Sequence, residues 1–287
     1  MKAVDYFADL PEKLKAAGIK KGDMVYVASD IRKLLYQIVN ECGAQTKDRQ
    51  AEYLGRLTDL LQDAVGADGT LLFPVFSWDF CRGKGFDYYK TQGEVGSYSN
   101  WILNNRGDFR RTRHPIYSFM VWGRESGRFC QMNNQDAWGA ASPFYFFLNH
   151  GGKELEFNVE SYKALTFVHC FEQMVKVPYR HPKYFFGNYT DENGNTEIRC
   201  YSMYVRDLGV TEHTKATHKY LIDHGVATEE NWNENKLALI DIKKCCGLVS
   251  RDITENDGRK TLEFKDYNFK YGIKQTIPYE ISDIPVN

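Results

Sequence analysis

The stretch Met24-Val25-Tyr26-Val27-Ala28-Ser29-Asp30 sets the fold class. Its first five residues are mostly apolar and favour extended structure, which predicts a short buried strand. Ser29-Asp30 then leads into residues 31–39, whose pattern predicts a helix. A strand–helix junction of this kind presents backbone N–H groups that can hold a phosphate or the amide chain of a cofactor. A plain N-cap explains the same residues equally well.

The same alternation surrounds this strand. Residues 3–17 are predicted to form an amphipathic helix before it, with Val4, Phe7, Leu10 and Leu14 on one stripe. Residues 48–65 form another predicted helix, and Asp68-Gly69 turns into the apolar strand 70–76. Two helix–turn–strand units indicate an α/β protein. We predict a three-layer α/β/α sandwich around a mixed, mainly parallel sheet.

The later chain carries weaker signals. The predicted elements there are a helix at 97–105, a strand at 119–123, a helix capped by Ser142, a strand at 153–159, a hairpin at Asn193-Gly194, a helix-like polar run around 213–224, a strand at 237–242 and a last hairpin near Asn256-Asp257-Gly258. No repeat or linker separates them. One domain over residues 1–287 is therefore predicted, with a hairpin-containing C-terminal extension.

Composition excludes several function classes. A net charge of −1 gives no basic field for nucleic acid or anionic lipid. The N-terminus has no signal-peptide pattern, and no stretch approaches a membrane span. Seven scattered cysteines match no disulfide framework, so reduced thiols in a cytoplasmic protein are expected.

The chemistry is concentrated in residues 165–174, the segment LTFVHCFEQM. A helix here places His169 and Glu172 three positions apart on one face. A histidine supported by a carboxylate can take a proton from an amine or hydroxyl nucleophile. The same spacing also occurs in salt-bridged pairs on helix surfaces. Cys170 points away from His169, so we interpret it as a core residue and not as a nucleophile.

Several segments together resemble the aminoglycoside 3-N-acetyltransferase family, which uses acetyl-CoA to acylate amines on sugars. They occur in the family's order and cover roughly residues 15–185, whereas residues 186–287 form a divergent part of the same domain. The segments are Gly22-Asp23 with 25–29, 69–76, Val95-Gly96, 111–118, Ser142-Pro143, 166–172 and Val177-Pro178-Tyr179-Arg180.

The resemblance implies roles for residues at these positions. His169 is expected to be the general base and Glu172 the group that orients it. The residues expected to bind acetyl-CoA are Ser29, Asp30, Arg113, His114 and Ser118. The residues expected to bind the acceptor are Trp78, Asp79, Asn100, Asp136 and Tyr179. No metal is expected.

Two acceptors compete within this interpretation. The chain departs from the family at Ala28-Ser29-Asp30, where a histidine and two serines are usual, and at Asn100, where a glutamate is common. Near-neutral charge, the absent glutamate and aromatic and basic residues in 78–113 favour an amino sugar linked to a nucleotide. The alternative is an aminoglycoside antibiotic, whose ammonium groups call for an acidic cleft.

Alternatives of other classes remain at this stage. One is a non-catalytic sugar- or CoA-binding protein. Another is a metal site built from His213, His218, His224, Cys245 and Cys246, whose spacing matches no common zinc motif. The expected partners are acetyl-CoA and a small amino sugar, with a homo-oligomer left open and neither nucleic acid nor a membrane involved.

Overall fold

The computed structural model describes residues 6–207, 210–213 and 215–264, arranged around a seven-stranded sheet. The strands are β1 (Met24–Ser29), β2 (Thr70–Phe76), β3 (Phe86–Asp87), β4 (Arg110–Arg111), β5 (Tyr117–Gly123), β6 (Lys153–Phe157), β7 (Arg180–Thr190), β8 (Thr196–Arg206), β9 (Val210–His213), β10 (Ala227–Trp232), β11 (Asn235–Asp241) and β12 (Leu262–Phe264). The central sheet has the order β10-β11-β6-β1-β2-β5-β4.

Strand β1 lies at the centre of this sheet. It pairs in parallel with β2 on one side and with β6 on the other. Its apolar residues are buried on both faces, as expected of an interior parallel strand. The outer pairings, which involve β4, β5, β10 and β11, are antiparallel. The α/β class and the mixed sheet are confirmed, and within this seven-stranded sheet the parallel pairs are β1–β2 and β1–β6.

Helices cover both faces of the sheet. They are α1 (Leu10–Ala17), α2 (Arg32–Cys42), α3 (Lys47–Val65), α4 (Ser97–Asn105), α5 (Ser126–Gln131), α6 (Pro143–Asn149), α7 (Ser161–Ala164), α8 (Val168–Met174), α9 (Ala216–Asp223) and α10 (Ile242–Asn256). Helices α1 to α4 contribute buried side chains to one hydrophobic cluster. Helices α5, α6, α8 and α10 contribute to the other, on the opposite face. The two clusters make the three predicted layers.

A smaller sheet, β3-β7-β8, packs on the second layer. Its long hairpin turns at the predicted Asn193-Gly194, where Gly194 has φ 82°. Such a positive φ is easy for glycine and strained for most residues. Strand β7 begins at Arg180, soon after α8, so the hairpin starts beside the helix that carries His169.

The C-terminal part differs most from expectation. The hairpin predicted near Asn256-Asp257-Gly258 is wrong, because those residues end the fifteen-residue helix α10. The run around His213 divides into strand β9 and helix α9. Residues 1–5, which include the start of the helix predicted over 3–17, lie outside the described residues, and α1 begins at Leu10. Strand β11 pairs with β6, so the C-terminal part contributes to the central sheet. One domain over residues 1–287 stays a prediction.

All seven cysteines are free thiols. Burial raises the pKa of Cys81 to about 11 and that of Cys170 to about 12. It also raises the pKa of Cys130, Cys200, Cys245 and Cys246. Within the described part of the chain, no helix is both long and apolar enough to cross a membrane.

Candidate active site

Helix α8 brings His169 and Glu172 together as predicted. The His169 Nδ1 and Glu172 Oε2 atoms are 3.0 Å apart. Val168, Cys170 and Phe171 anchor the helix in the core. The Glu172 side chain is completely buried, whereas 17% of the His169 side chain is exposed. The imidazole can therefore meet a substrate while its carboxylate partner stays away from water.

Arg180 completes this arrangement. Its Nε lies 2.7 Å from Glu172 Oε2, and its Nη1 donates a hydrogen bond to the Tyr204 carbonyl at 3.0 Å. A buried carboxylate is costly unless a cation balances it. The guanidinium of Arg180 supplies that charge, so Glu172 can remain ionised beside the imidazole.

Arg180 also bears on the tautomer of His169. Its Nη2 lies 2.9 Å from His169 Nδ1, the atom that faces Glu172. A neutral imidazole can donate from Nδ1 to Glu172 or accept there from Arg180, but cannot do both. The first tautomer leaves Nε2 unprotonated and able to act as a base. The charge-assisted bond to a carboxylate favours this tautomer.

The loop before α6 forms one wall beside the base. The Trp138 ring meets the His169 ring edge to face, with centroids 5.4 Å apart. Asp136 accepts hydrogen bonds from Trp138 N and from the side chain of Gln173, one helical turn beyond His169. Burial raises the pKa of Asp136. A desolvated carboxylate on the same side of α8 is suited to an ammonium group.

A cavity of about 430 Å³ opens where β1 and β2 end. Its lining includes Ser29 and Asp30, the α4 N-terminus from Gly96 to Ser99, and Lys163 and Thr166 before α8. The N–H groups at the start of a helix attract anions. Gly96 has φ 73°, and a Cβ there would lie 3.2 Å from Ser99 Oγ, so this approach to α4 requires glycine.

Acetyl-CoA fits the chemistry of this cavity. The Ser29 Oγ is buried and has no hydrogen-bond partner among the residues the structure describes. An amide of the pantetheine arm would satisfy it. Asp30 instead holds Arg32 through a bond of 2.9 Å from Arg32 Nε, which lowers the pKa of Asp30. Arg32 and Lys163 supply positive charge to the lining.

Three residues expected at the cofactor do not line this cavity. His114 is buried and accepts hydrogen bonds from the Ile116 and Tyr117 amides, and desolvation lowers its pKa to about 3. Ser118 Oγ donates to the Val75 carbonyl at 2.9 Å, and Arg113 forms an ion pair with Glu192.

The basic residues at the end of the segment 78–113 make separate contacts. Arg106 pairs with Asp59 and Asp108. Arg111 is 2% exposed and donates to Ser118 Oγ, and burial lowers its pKa to about 10. These cations serve the fold, and none of them lines the cavity.

Among the expected acceptor residues, Asp136 contacts helix α8 on the face that carries His169, through its hydrogen bond from Gln173. Asp79 pairs with Arg82 and Lys84, and Trp78 N donates to Glu94. Asn100 donates to and accepts from the backbone of Gly93, at 2.7 and 2.8 Å.

Tyr179 lies in the core beside Glu172. It is 1% exposed, and burial followed by the charge of Glu172 raises its pKa. It therefore supports the catalytic helix from behind. The N-terminus of α4 lines the cavity but was not among the residues expected to bind acetyl-CoA. The sequence signal for it was Gly96, which belongs to the segments resembling the family and directly precedes α4 without a capping side chain.

The alternative metal site is not formed by the residues that the structure describes. His218 contacts Glu229 and Ser161, and His224 Nδ1 contacts the Tyr220 carbonyl. Cys245 is buried in the core. No group of three or more metal-binding side chains occurs in residues 6–207, 210–213 and 215–264. The side chain of His213 lies outside the described part.

Comparison with known proteins gives a family. The sequence model of the family described as aminoglycoside 3-N-acetyltransferase matches residues 51–252. The resemblance found in the sequence is thereby confirmed, and it extends beyond the segment over which we had recognised it. No curated protein matches the chain.

Solved structures share the fold. Aminoglycoside acetyltransferase AAC(3)-IIb has a TM-score of 0.68 at 15% identity, covering 89% of this chain and 98% of that one. Sisomicin-bound AAC-VIa has a TM-score of 0.68 at 18% identity, with coverages of 87% and 97%. AAC-IIIb in a binary complex with CoASH has a TM-score of 0.68 at 17% identity, with coverages of 92% and 99%.

Proposed function

This chain belongs to the aminoglycoside 3-N-acetyltransferase family and is an N-acetyltransferase that uses acetyl-CoA. We propose that it acetylates an amino group of an aminoglycoside-type sugar, with His169 as the general base. The observation that carries the proposal is the 3.0 Å contact between His169 Nδ1 and the buried carboxylate of Glu172. Acetyl-CoA supplies the acetyl group as a thioester.

The proposed proton transfer follows from the state of each group. An amine near neutral pH is mostly an ammonium and cannot attack a carbonyl until it loses a proton. His169 takes that proton at Nε2. Glu172 accepts the Nδ1–H bond and stabilises the imidazolium that forms, and Arg180 keeps Glu172 ionised. The cofactor is proposed to occupy the cavity between Ser29 and the α4 N-terminus.

An aminoglycoside-type acceptor replaces our first choice, the nucleotide-linked sugar. That choice depended on the near-neutral net charge, the absence of a glutamate at Asn100, and the aromatic and basic residues in 78–113. Arg106 and Arg113 are engaged in ion pairs, and Arg111 is buried. Asp136, beside the catalytic helix, instead suits an acceptor ammonium. The solved relative AAC-VIa binds sisomicin, which agrees with the acceptor proposed here.

A thiol-release assay tests the proposal. The protein is incubated with acetyl-CoA and either aminoglycosides, including sisomicin, or nucleotide-linked amino sugars. We expect turnover with at least one aminoglycoside to exceed that with every nucleotide-linked sugar. Faster turnover with a nucleotide-linked sugar than with every aminoglycoside would contradict the proposed acceptor. If the wild-type protein acetylated none of these amines, the proposed reaction itself would be contradicted. Folded His169→Ala is the negative control.

A further inference from the structure

Two glutamates that the proposed reaction does not use are buried on β6. Glu154 is 0% exposed and Glu156 is 1% exposed. Their side chains share one face of the strand because they are two residues apart. Neither oxygen of Glu154 has a hydrogen-bond partner among the described residues. Burying a carboxylate away from water lowers the free energy of unfolding unless a cation, a hydrogen-bond donor or a proton neutralises it. The groups around these two glutamates therefore matter.

Glu156 is the better supplied of the two. Its Oε2 accepts a hydrogen bond from Ser161 Oγ at 2.8 Å. The Nδ1 atom of His218 lies 2.9 Å from the same Ser161 Oγ and 3.7 Å from Glu156 Oε2. On the other side of the ring, His218 Nε2 lies 2.9 Å from Glu229 Oε2. The imidazole thus lies between two carboxylates, one on β6 and one on β10.

This bridge lies directly behind a wall of the cofactor cavity. Ser161 begins the short helix α7, and Lys163 and Ala164 of that helix line the cavity. Ala28, the strand partner of Glu156 on β1, lines it as well. A change at His218 therefore reaches the cavity through one helical turn and one strand pairing.

We propose that His218 is a positioning residue for the acetyl-CoA site: as a cation it joins Glu156 to Glu229 and, through Ser161, holds α7 against the cavity. The inference depends on the proposed function for the identity of the cofactor. In this proposal His218 affects the binding of the cofactor, whereas His169 takes the proton of the acceptor.

The charges around His218 decide the direction of its pH dependence. The carboxylates of Glu156 and then of Glu229 raise the pKa of His218, against the effect of burial. Burial raises the pKa of both glutamates, and the contacts of Glu156 with His218 and Ser161 oppose that rise, so Glu156 is the one of the two that ionises more readily. The other charged groups on the elements around the bridge are Lys153 on β6, Glu160 and Lys163 beside or on α7, Lys219 and Asp223 on α9, Glu230 on β10, and Lys236 and Asp241 on β11. The Nζ of Lys236 lies 3.5 Å from Glu229 Oε1.

The sign follows from this raised pKa. Below it, His218 is a cation and the bridge is complete. As the pH rises through it, the ring loses its charge and the hold on α7 weakens. Cofactor binding should therefore become weaker at alkaline pH, whereas general-base catalysis by His169 should become faster. The affinity for the cofactor then falls with rising pH while kcat increases, so Kd and kcat both rise.

Calorimetric titration with CoA between about pH 6 and pH 9 tests the proposal across the range where histidines titrate. Neutral His218→Gln is compared with His224→Gln, the matched change at an exposed histidine just past the end of α9. We expect His218→Gln to bind CoA about 5- to 10-fold more weakly than wild type at the acidic end, a modest coupling between sites. The two proteins should converge at the alkaline end, while His224→Gln follows wild type throughout.

A second variant covers the case in which His218→Gln does not fold. Glu229→Gln removes one carboxylate, so the loss of CoA affinity should begin at a lower pH than in the wild type. Affinities of a folded His218→Gln equal to wild type at every pH, or an unshifted profile for Glu229→Gln, would overturn the role of His218 while leaving the acetyltransferase proposal intact. No binding of CoA by the wild-type protein would overturn both.

Discussion

The carboxylate of Glu172 lies between a base and a cation, and each neighbour sets a different property of the site. His169 needs the carboxylate to fix its ring, and the carboxylate needs Arg180 to remain charged out of water. The three side chains therefore act as one unit. Substitution effects within the unit should not add, because each residue changes the state of the next.

Removing the base is the first prediction. His169→Ala should lower kcat by about 10²- to 10⁴-fold, the usual contribution of a positioned base. The rise of kcat with pH that such a base produces should disappear with it. Steady-state kinetics over a pH series measures both effects. Unchanged CoA affinity by calorimetry is the control, and near-wild-type kcat in a folded variant would assign the pair to structure alone.

Breaking the ion pair is the second prediction. Arg180→Met leaves Glu172 buried and uncompensated, which should lower the free energy of unfolding by about 3–5 kcal/mol. Arg180→Met combined with Glu172→Gln removes both charges, so much of the loss should be recovered. Urea denaturation of wild type, both single variants and the double variant gives the coupling energy. Additive losses would mean that the two charges do not depend on each other.

At the scale of the element, one backbone conformation explains the largest error made from the sequence. Asn256-Asp257-Gly258 predicts a hairpin because tight β-turns favour residues with positive φ. Helix C-termini use the same conformation, and Asp257, with φ 56°, ends α10 in this way. The local signal for a left-handed residue was correct, but it does not distinguish the two structures. The preceding residues, 242–256, decide which one forms, because Ile242, Cys245, Val249 and Ile253 are buried at helical spacing.

That helix end gives the third prediction. Asp257→Gly should stabilise the protein relative to Asp257→Val by about 1–2 kcal/mol, because a branched side chain is strained where φ is positive. Thermal unfolding of the two variants measures the difference. The same pair of substitutions at Lys243, within α10, serves as a control, because there glycine should be no better than valine.

Other helices and strands could be predicted from the sequence with their correct bounds. Strand 70–76 and helix 97–105 occur where they were predicted, because their turn and apolar signals are local. The His169–Glu172 contact could be predicted since helical spacing fixes it. The roles of Arg111 and Arg113 could not, because sequence proximity does not say where a side chain points. Arg110 is exposed and Arg111 buried on the same short strand.

For the whole molecule, the buried glutamates of β6 affect how stability depends on pH. Desolvation raises the pKa of Glu154 well above its ordinary 4.5. When folding raises the pKa of a group, its contribution to the free energy of unfolding is fully present below the pKa of the unfolded state. That contribution is lost as the pH rises through the pKa of the folded state. The protein should therefore lose stability from this group towards alkaline pH, and not towards acid.

The fourth prediction removes this group. Glu154→Leu replaces a buried carboxyl lacking hydrogen-bond donors among described residues with an apolar side chain. The free energy of unfolding should rise by about 1–3 kcal/mol, the penalty of an unsatisfied buried polar group. The alkaline loss of stability should also become shallower. Urea denaturation at neutral and alkaline pH measures both, with exposed Glu160→Leu as control, and a destabilised Glu154→Leu would point to a partner for the carboxyl.

The free cysteines have a practical consequence for the thiol-release assay. A thiol reacts with a disulfide dye as its thiolate, and burial holds six of the seven side chains in the protonated form. The released CoA carries an ordinary, fully accessible thiol. Colour development should therefore follow acetyl transfer over a nearly flat protein background, and the native enzyme can be followed continuously without first being alkylated.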